Sequence, residues 1–295
     1  MNGALIIEPT NVDISNFRTY IRQVCGLCIS DDKSYLIKQR LENLVLSSGC
    51  KNFSELFVKL QDSQQESYYR NLIIAAITTN ETSFFRDSHP FDNFSRFILP
   101  RLHELIRRQI PRNEHRRGPK IQIWSAAAST GQEAYSLSIL IHEYIRNHPF
   151  EGISLSDFGI LATDISTEVL AKAVAGEYHA SETGRGVGDE LRDRYFQRIG
   201  QKWAVCDSVR SLVEFKRLNL AEPFSFLPTF HVVFCRNVLI YFDEEVKKVI
   251  LGQIYRVLAD EGFLLLGASE LLLGLTDCFV SEPVGSTIMY RKKRG

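Results

Sequence analysis

The chain has 295 residues, 44% of them hydrophobic and 24% charged, enough to bury sizeable cores and, as a soft prior, to form about two domains. Its 35 basic and 35 acidic residues cancel, which argues against bulk nucleic-acid binding or steering to anionic membranes. Met1 to Pro9 carries no basic region and reaches Glu8 soon after Leu5-Ile6-Ile7, so it is not read as a signal peptide.

Residues 12 to 80 read as helices. Ser15 or Asn16 is expected to cap a segment with Phe17, Ile21 and Val24 on its apolar face. A second helix follows Asp31-Asp32, turns Leu36, Ile37, Leu41, Leu44 and Val45 inward, and stops at Gly49. Helices are also expected from about Phe53 to Leu60 and from about Glu66 to Ile77, making a small bundle. Lys33, Lys38 and Arg40 fall on the polar side of the second helix, where a solvated face is the plain reading. Cys25-x-x-Cys28 has no second pair at zinc spacing, so the six cysteines are read as buried or free thiols in a reducing cytoplasm.

Thr78–Asp87 is dense in turn-forming residues yet holds Phe84-Phe85 and an arginine, Arg86, among acids. Such a loop is either a domain junction or a ligand wall. Pro90 and Phe91 open the next helix, Asp92 to Arg108, and a basic stretch from Arg107 to Lys120 reads as an exposed connector.

From Ile121 the periodicity changes. Short apolar strands at Ile121–Ala126, Phe158–Thr163, Val213–Leu218, His231–Cys235 and Gly262–Gly267 alternate with helices at about Glu133–Asn147, Thr167–Ala175 and Glu244–Leu258. That alternation predicts a parallel, doubly wound sheet, with a final strand pair near Cys278–Ser281 and Thr287–Arg291. The run Gly262 to Leu275 contains Glu270 and is too short to span a bilayer. Between Gly176 and Ser211 the alternation breaks down, which points to an insertion: a short helix near Glu190–Phe196 and strands near Lys202–Cys206 and Val209–Glu214. Its Gly184-Arg185-Gly186-Val187-Gly188 run follows no strand, so a flexible loop is favoured over a phosphate cradle.

The polar residues closing each strand are the strongest functional signal. The first strand ends in Ser125–Gly131, the second in Asp164, the third in Asn219 and the fourth in Arg236-Asn237. Ligands in open α/β sheets bind outside these carboxyl ends. After Ile121–Ala126, tiny residues allow close approach to the backbone, and Thr130-x-x-Glu133 fits a capping box at the following helix. A carboxylate such as Asp164 can accept both ribose hydroxyls of an adenosine cofactor. Each residue also has a plain reading: Asp164 could cap a helix, and Asn219 and Asn237 could be turn residues.

Taken together, Thr78–Asp87, Trp124–Leu137, Ala162–Ile165 and Phe230–Asp243 resemble the CheR family of chemotaxis receptor methyltransferases. The patterns Asn-x-Thr-x-Phe-Phe-Arg and Phe-Cys-Arg-Asn-Val-x-Ile-Tyr-Phe carry the likeness, in this order, over nearly the whole chain. The resemblance implies a Rossmann-like S-adenosylmethionine (SAM)-dependent domain over 88–295, with an inserted β-subdomain at 176–212. An all-α domain and the start of a linker would occupy 1–87. It implies a cytoplasmic enzyme that methylates glutamates on chemoreceptor cytoplasmic helices, releasing S-adenosylhomocysteine (SAH) and using no metal. By it, Asn80, Thr82, Arg86, Ala126, Glu133, Asp164, Ile165, Asn219, Leu220, Arg236 and Asn237 would meet the cofactor. Arg86 and Tyr241 would flank the methyl-transfer position, and Lys33, Lys38 and Arg40 would meet the acidic receptor helix.

The sequence departs from the family where Ala128 and Gly131-Gln132-Glu133-Ala134-Tyr135 replace the common Cys and Gly-Glu-Glu-Pro-Tyr. The segment from Tyr195 to Phe215 lacks the glycine-marked loop of members that dock a receptor tether, which favours a tether-independent enzyme. Receptors of a non-motility array are an alternative acceptor, and a non-catalytic SAM-binding scaffold is the alternative from another class. Retention of Arg86 and Tyr241 favours the enzyme. No heptad run is evident, so a monomer is expected, without direct membrane insertion or nucleic acid.

Overall fold

The computed structural model describes residues 7–109 and 118–293. Four helices come first: α1 (Asn11–Cys25), α2 (Tyr35–Ser47), α3 (Phe53–Gln61) and α4 (Glu66–Ile77). Their apolar stripes meet in one core that includes Phe17, Ile21, Leu41, Val45, Phe53 and Ile73. The cap of α1 differs from expectation. Thr10, rather than Ser15 or Asn16, accepts the Asp13 N–H at 3.1 Å, while the Asp13 carboxylate accepts the Thr10 N–H at 2.9 Å. Asp13 also accepts the Ser54 hydroxyl at 2.6 Å, so this capping box is tied to α3 as well. Lys33 belongs to a separate 3-10 turn, Asp31–Lys33, ahead of α2.

A linker from Thr78 leads to α5 (His89–Asn93), a π-helical stretch (Phe94–Ile98) and α6 (Leu99–Gln109). The single helix expected here therefore starts earlier, at the turn holding Pro90, and contains a wider segment. Most of the basic connector lies outside the described residues.

The catalytic half runs β1 (Ile121–Ala126), α7 (Gln132–Asn147), β2 (Phe158–Asp164), α8 (Thr167–Ala175), β3 (Glu177–His179), α9 (Ala180–Gly184), α10 (Asp189–Tyr195), β4 (Phe196–Ile199), β5 (Lys202–Val205), α11 (Asp207–Arg210), β6 (Val213–Arg217), β7 (Phe230–Cys235), α12 (Glu244–Val257), β8 (Leu258–Leu266), β9 (Phe279–Val284) and β10 (Thr287–Lys292). The sheet order is β6-β2-β1-β7-β8-β10-β9. Its first five strands are mutually parallel, and β10 is antiparallel to both β8 and β9. The winding reverses between β1 and β7, the crevice where such sheets hold ligands.

The insertion is a small antiparallel sheet, β3-β5-β4. The strand expected over Val209–Glu214 is instead the short helix α11 followed by the start of β6. The glycine run is not a free loop. Gly186 has φ +112°, and a Cβ there would fall 2.0 Å from the Phe84 carbonyl oxygen. Val187 and Phe84 are buried with Tyr178 and Phe196, so this run seats the linker on the subdomain.

The helical domain docks directly on the sheet domain. Gly26 stops α1 at φ +71°, and a Cβ there would lie 2.5 Å from the Ala221 Cβ. Next to it, Leu27 and Phe242 form an antiparallel bridge and Cys28 N–H donates to the Tyr241 carbonyl at 3.1 Å. Arg22 pairs with Asp243 at 2.7 Å, and the Asn219 amide donates to the Val24 carbonyl at 3.0 Å.

Candidate active site

A cleft of about 970 Å³, its open mouth included, lies over the carboxyl ends of β1, β2, β6 and β7. The linker supplies Asn80, Thr82 and Arg86 to its wall, and the sheet supplies Glu133, Asp164 and Ile165. Asn219, Leu220, Arg236 and Asn237 join them from the ends of β6 and β7, with Tyr241 beyond. Four strand ends and the linker thus converge on one cleft. Ala126 is the exception. It is 1% exposed and packs in the core with Trp124, while Ala127 and Ala128 face the cleft. The helical domain adds Leu27, which no strand-end pattern points to.

The turn after β1 is shaped by backbone rather than by side chains. Ala127 and Ser129 take φ +58° and +51°, and Gly131 at φ +93° begins α7. The expected capping box does not form, because the Thr130 hydroxyl donates to the Gln132 side chain at 2.8 Å. Glu133 is drawn elsewhere: it accepts the Ser125 hydroxyl at 2.8 Å and pairs with Arg236 at 3.0 Å. A charge-assisted pair outcompetes a local cap.

Arg236 fastens the linker. Its side chain is 1% exposed, bonded to Asp87 at 2.8 Å, to Glu133 at 3.0 Å and to the Arg86 carbonyl at 3.0 Å, with the Phe91 ring 5.5 Å away. Its Nε is buried and lacks a partner among the described residues. The segment it holds is strained: Phe85, Asp87 and Ser88 have φ +50°, +66° and +39°. Conformations of this kind cost about 1–3 kcal/mol each and persist when surroundings over-determine them. Here the Phe85 N–H also donates to Ser136 at 3.0 Å, and Phe84 is locked edge-on between Tyr178 and Phe196. The Arg86 side chain is left facing the cleft and donates to the Glu81 carbonyl at 2.8 Å.

Asp164 closes β2 and is 7% exposed. Burial pushes its carboxyl above the usual aspartate pKa, opposed by N–H bonds from Ser166 at 3.0 Å and Ser129 at 2.9 Å. With about four acceptor sites on its two oxygens, the carboxylate keeps capacity toward the cleft. The Ser129 hydroxyl donates to the Asn80 carbonyl at 3.0 Å, joining the first turn to the linker. Asn219 is held by its own turn, accepting Ala221 N–H at 3.1 Å.

The basic residues do not form one cluster at the cleft. Arg40 donates to the Thr79 hydroxyl at 3.0 Å and so sits beside the wall. Lys38 pairs with Glu8, and Lys33 is exposed on its separate turn. No helix among the described residues is long and apolar enough to cross a membrane.

The family described as "CheR methyltransferase, SAM binding domain" matches residues 80–288, and "CheR methyltransferase, all-alpha domain" matches residues 13–73. Chemotaxis protein methyltransferase 1 of Pseudomonas aeruginosa is 40% identical over 288 residues, which cover 97% of this chain and 100% of that protein. Chemotaxis protein methyltransferase Cher2 of Pseudomonas putida is 38% identical over 284 residues, 96% of this chain and 98% of that protein. Chemotaxis protein methyltransferase 1 of Vibrio cholerae is 38% identical over 288 residues, 97% and 99% of the two chains. With both domains matched in order and these relatives aligned nearly end to end, the chain belongs to the CheR family of SAM-dependent chemotaxis methyltransferases.

Proposed function

We propose that the cleft binds SAM and that the protein esterifies glutamate side chains on the cytoplasmic helices of chemoreceptors, releasing SAH. The observation that carries this reading is the convergence of Arg86 and Tyr241 with Asp164 and Glu133 on one cleft. The groups available there suit the cofactor. Asp164 offers a buried carboxylate to two ribose hydroxyls, and Ile165, Leu220 and Leu27 offer apolar surface to an adenine ring. Glu133 suits an ammonium group, while Asn80, Thr82 and the buried Arg236 Nε offer donors to a carboxylate.

When bound, SAM supplies a sulfonium methyl group open to nucleophilic attack. A glutamate side chain has a free pKa of about 4.3, so it is already ionised at neutral pH and needs no general base. The protein's task is then proximity and orientation. Arg86 holds the incoming carboxylate, and the Tyr241 hydroxyl orients it. Neither role calls for a metal. Arg40 stands at the cleft wall, and Lys33 and Lys38 are offered to an acidic receptor helix, Lys38 by exchanging Glu8 for a receptor carboxylate.

The test is transfer of a labelled methyl group from SAM to receptor cytoplasmic fragments, comparing wild type with Arg86→Ala. The variant should fold as wild type and lose about 100-fold or more in turnover, the scale of removing one charge-stabilising donor. A folded Arg86→Ala protein with full turnover would remove Arg86 from the reaction centre.

A further inference from the structure

The loop that brings Asn237 and Tyr241 to the cleft is built against an acid that neither motif contains. Glu270 lies in the turn after β8 and is 6% exposed. One carboxylate oxygen accepts the Asn237 and Gly267 N–H groups, both at 2.7 Å. The other accepts Val238 N–H at 2.9 Å and Ile240 N–H at 3.3 Å.

Three of these donors, those of Asn237, Val238 and Ile240, share an origin, while Gly267 belongs to Glu270's own turn. Leu239–Tyr241 is a 3-10 turn, and Val238 leads into it without a side-chain cap. The first N–H groups of such a turn have no partner within it. Asn237 adds a left-handed φ of +58°, a conformation that needs support. Glu270 meets both needs from a separate strand end. The fit is close, since a Cβ on Gly267 would lie 2.7 Å from both the Glu270 carboxylate and the Asn237 amide nitrogen. On the far side the loop is held by Cys28 N–H on the Tyr241 carbonyl at 3.1 Å.

We infer that Glu270 is a positioning residue of this site, acting through Asn237 and Tyr241. The inference rests on the cofactor reading above. Four backbone donors aimed at one side chain require four acceptor lone pairs, which a carboxylate has and an amide lacks. Glu270→Gln keeps the shape but turns an NH2 group against N–H donors, so the loop must shift to relieve it.

The experiment is calorimetric titration of SAH into four proteins: wild type, Glu270→Gln, Asn237→Gly and the double variant. Glycine accepts the positive φ at residue 237 and removes only the side chain. Each single variant should lose about 10-fold in affinity, and the double variant less than about 30-fold, because Glu270 works through the group already removed. Wild-type affinity in Glu270→Gln, or losses that multiply to about 100-fold, would overturn the role. A residue that only stabilised the fold would shift the melting temperature and leave the affinity of the folded protein unchanged. Should Glu270→Gln not fold, Gly267→Ala displaces the same carboxylate and is judged by the same two outcomes. Wild-type binding is the separate control. Its absence contradicts the cofactor reading and Glu270's role with it, whereas tight binding with multiplied losses overturns Glu270 alone.

Discussion

Replacing Arg236 by methionine keeps an unbranched apolar stem and removes the guanidinium from a site where the side chain is 1% exposed. Two carboxylates then lose their partner. Glu133 is 13% exposed, and leaving a buried carboxylate unpaired costs about 3–5 kcal/mol. Asp87 is 36% exposed, so water screens it and its share is about 0–1 kcal/mol. The expected total is about 4 kcal/mol. At about 2–4 °C per kcal/mol this lowers the unfolding midpoint by roughly 8–16 °C. Differential scanning calorimetry without ligand measures it. Adding Glu133→Gln to Arg236→Met removes the stranded charge while keeping an oxygen for the Ser125 hydroxyl, so half or more of the loss should return. A double variant that falls by the sum of the two single losses would refute the claim that Arg236 and Glu133 are a coupled buried pair.

Protonation of Asp164 should weaken SAH. The ionised carboxyl is the form that accepts hydroxyl hydrogen bonds, and burial raises its pKa, so protonation begins at higher pH than for an exposed aspartate. Titrations from about pH 8 to about pH 5 should show affinity falling with acid toward a limit of about tenfold per pH unit, and Asp164→Asn should remove that component; an unchanged profile in the variant would exclude Asp164. Gly186→Ala should destabilise the protein by about 2–4 kcal/mol, from a methyl group forced onto the Phe84 carbonyl and an unfavourable positive φ. Gly184→Ala, with open space around its Cβ, is the control and should melt near wild type; equal midpoints for the two would dismiss the contact. Lys33→Glu combined with Lys38→Glu should raise KM for a receptor fragment by about 10-fold at low salt and less at high salt, with SAH affinity unchanged. A KM that does not respond to the reversal would move receptor docking away from this face.

What could be read in advance was what neighbouring residues determine. The approximate limits of β1, α4 and α8 follow from β-branched runs and helix periodicity, and the observed elements match them. The strand-end residues were legible for a similar reason, since a polar group after an apolar strand has few places to go in a doubly wound sheet. The failures share a cause in distant partners. Glu133 abandons its expected cap for Arg236, 103 positions away, and Asp87 answers the same arginine from 149 positions away. Strands β3 and β4 hold only three and four residues, too few to display alternation, and are defined by pairing with β5. Glu270 left one trace, an acid inside the most apolar run of the chain, but its donors lie in another loop. Gly186 read as flexible because what requires glycine there is the Phe84 carbonyl.

The central claim is that a carboxylate, and not an amine, receives the methyl group. The direct measurement is the alkali lability of label transferred from SAM to a panel of receptor cytoplasmic fragments. Methyl esters hydrolyse in base and release volatile methanol, and N-methyl groups do not. The account predicts base-labile label on at least one fragment with wild type and none with Arg86→Ala; label that survives alkali would contradict it.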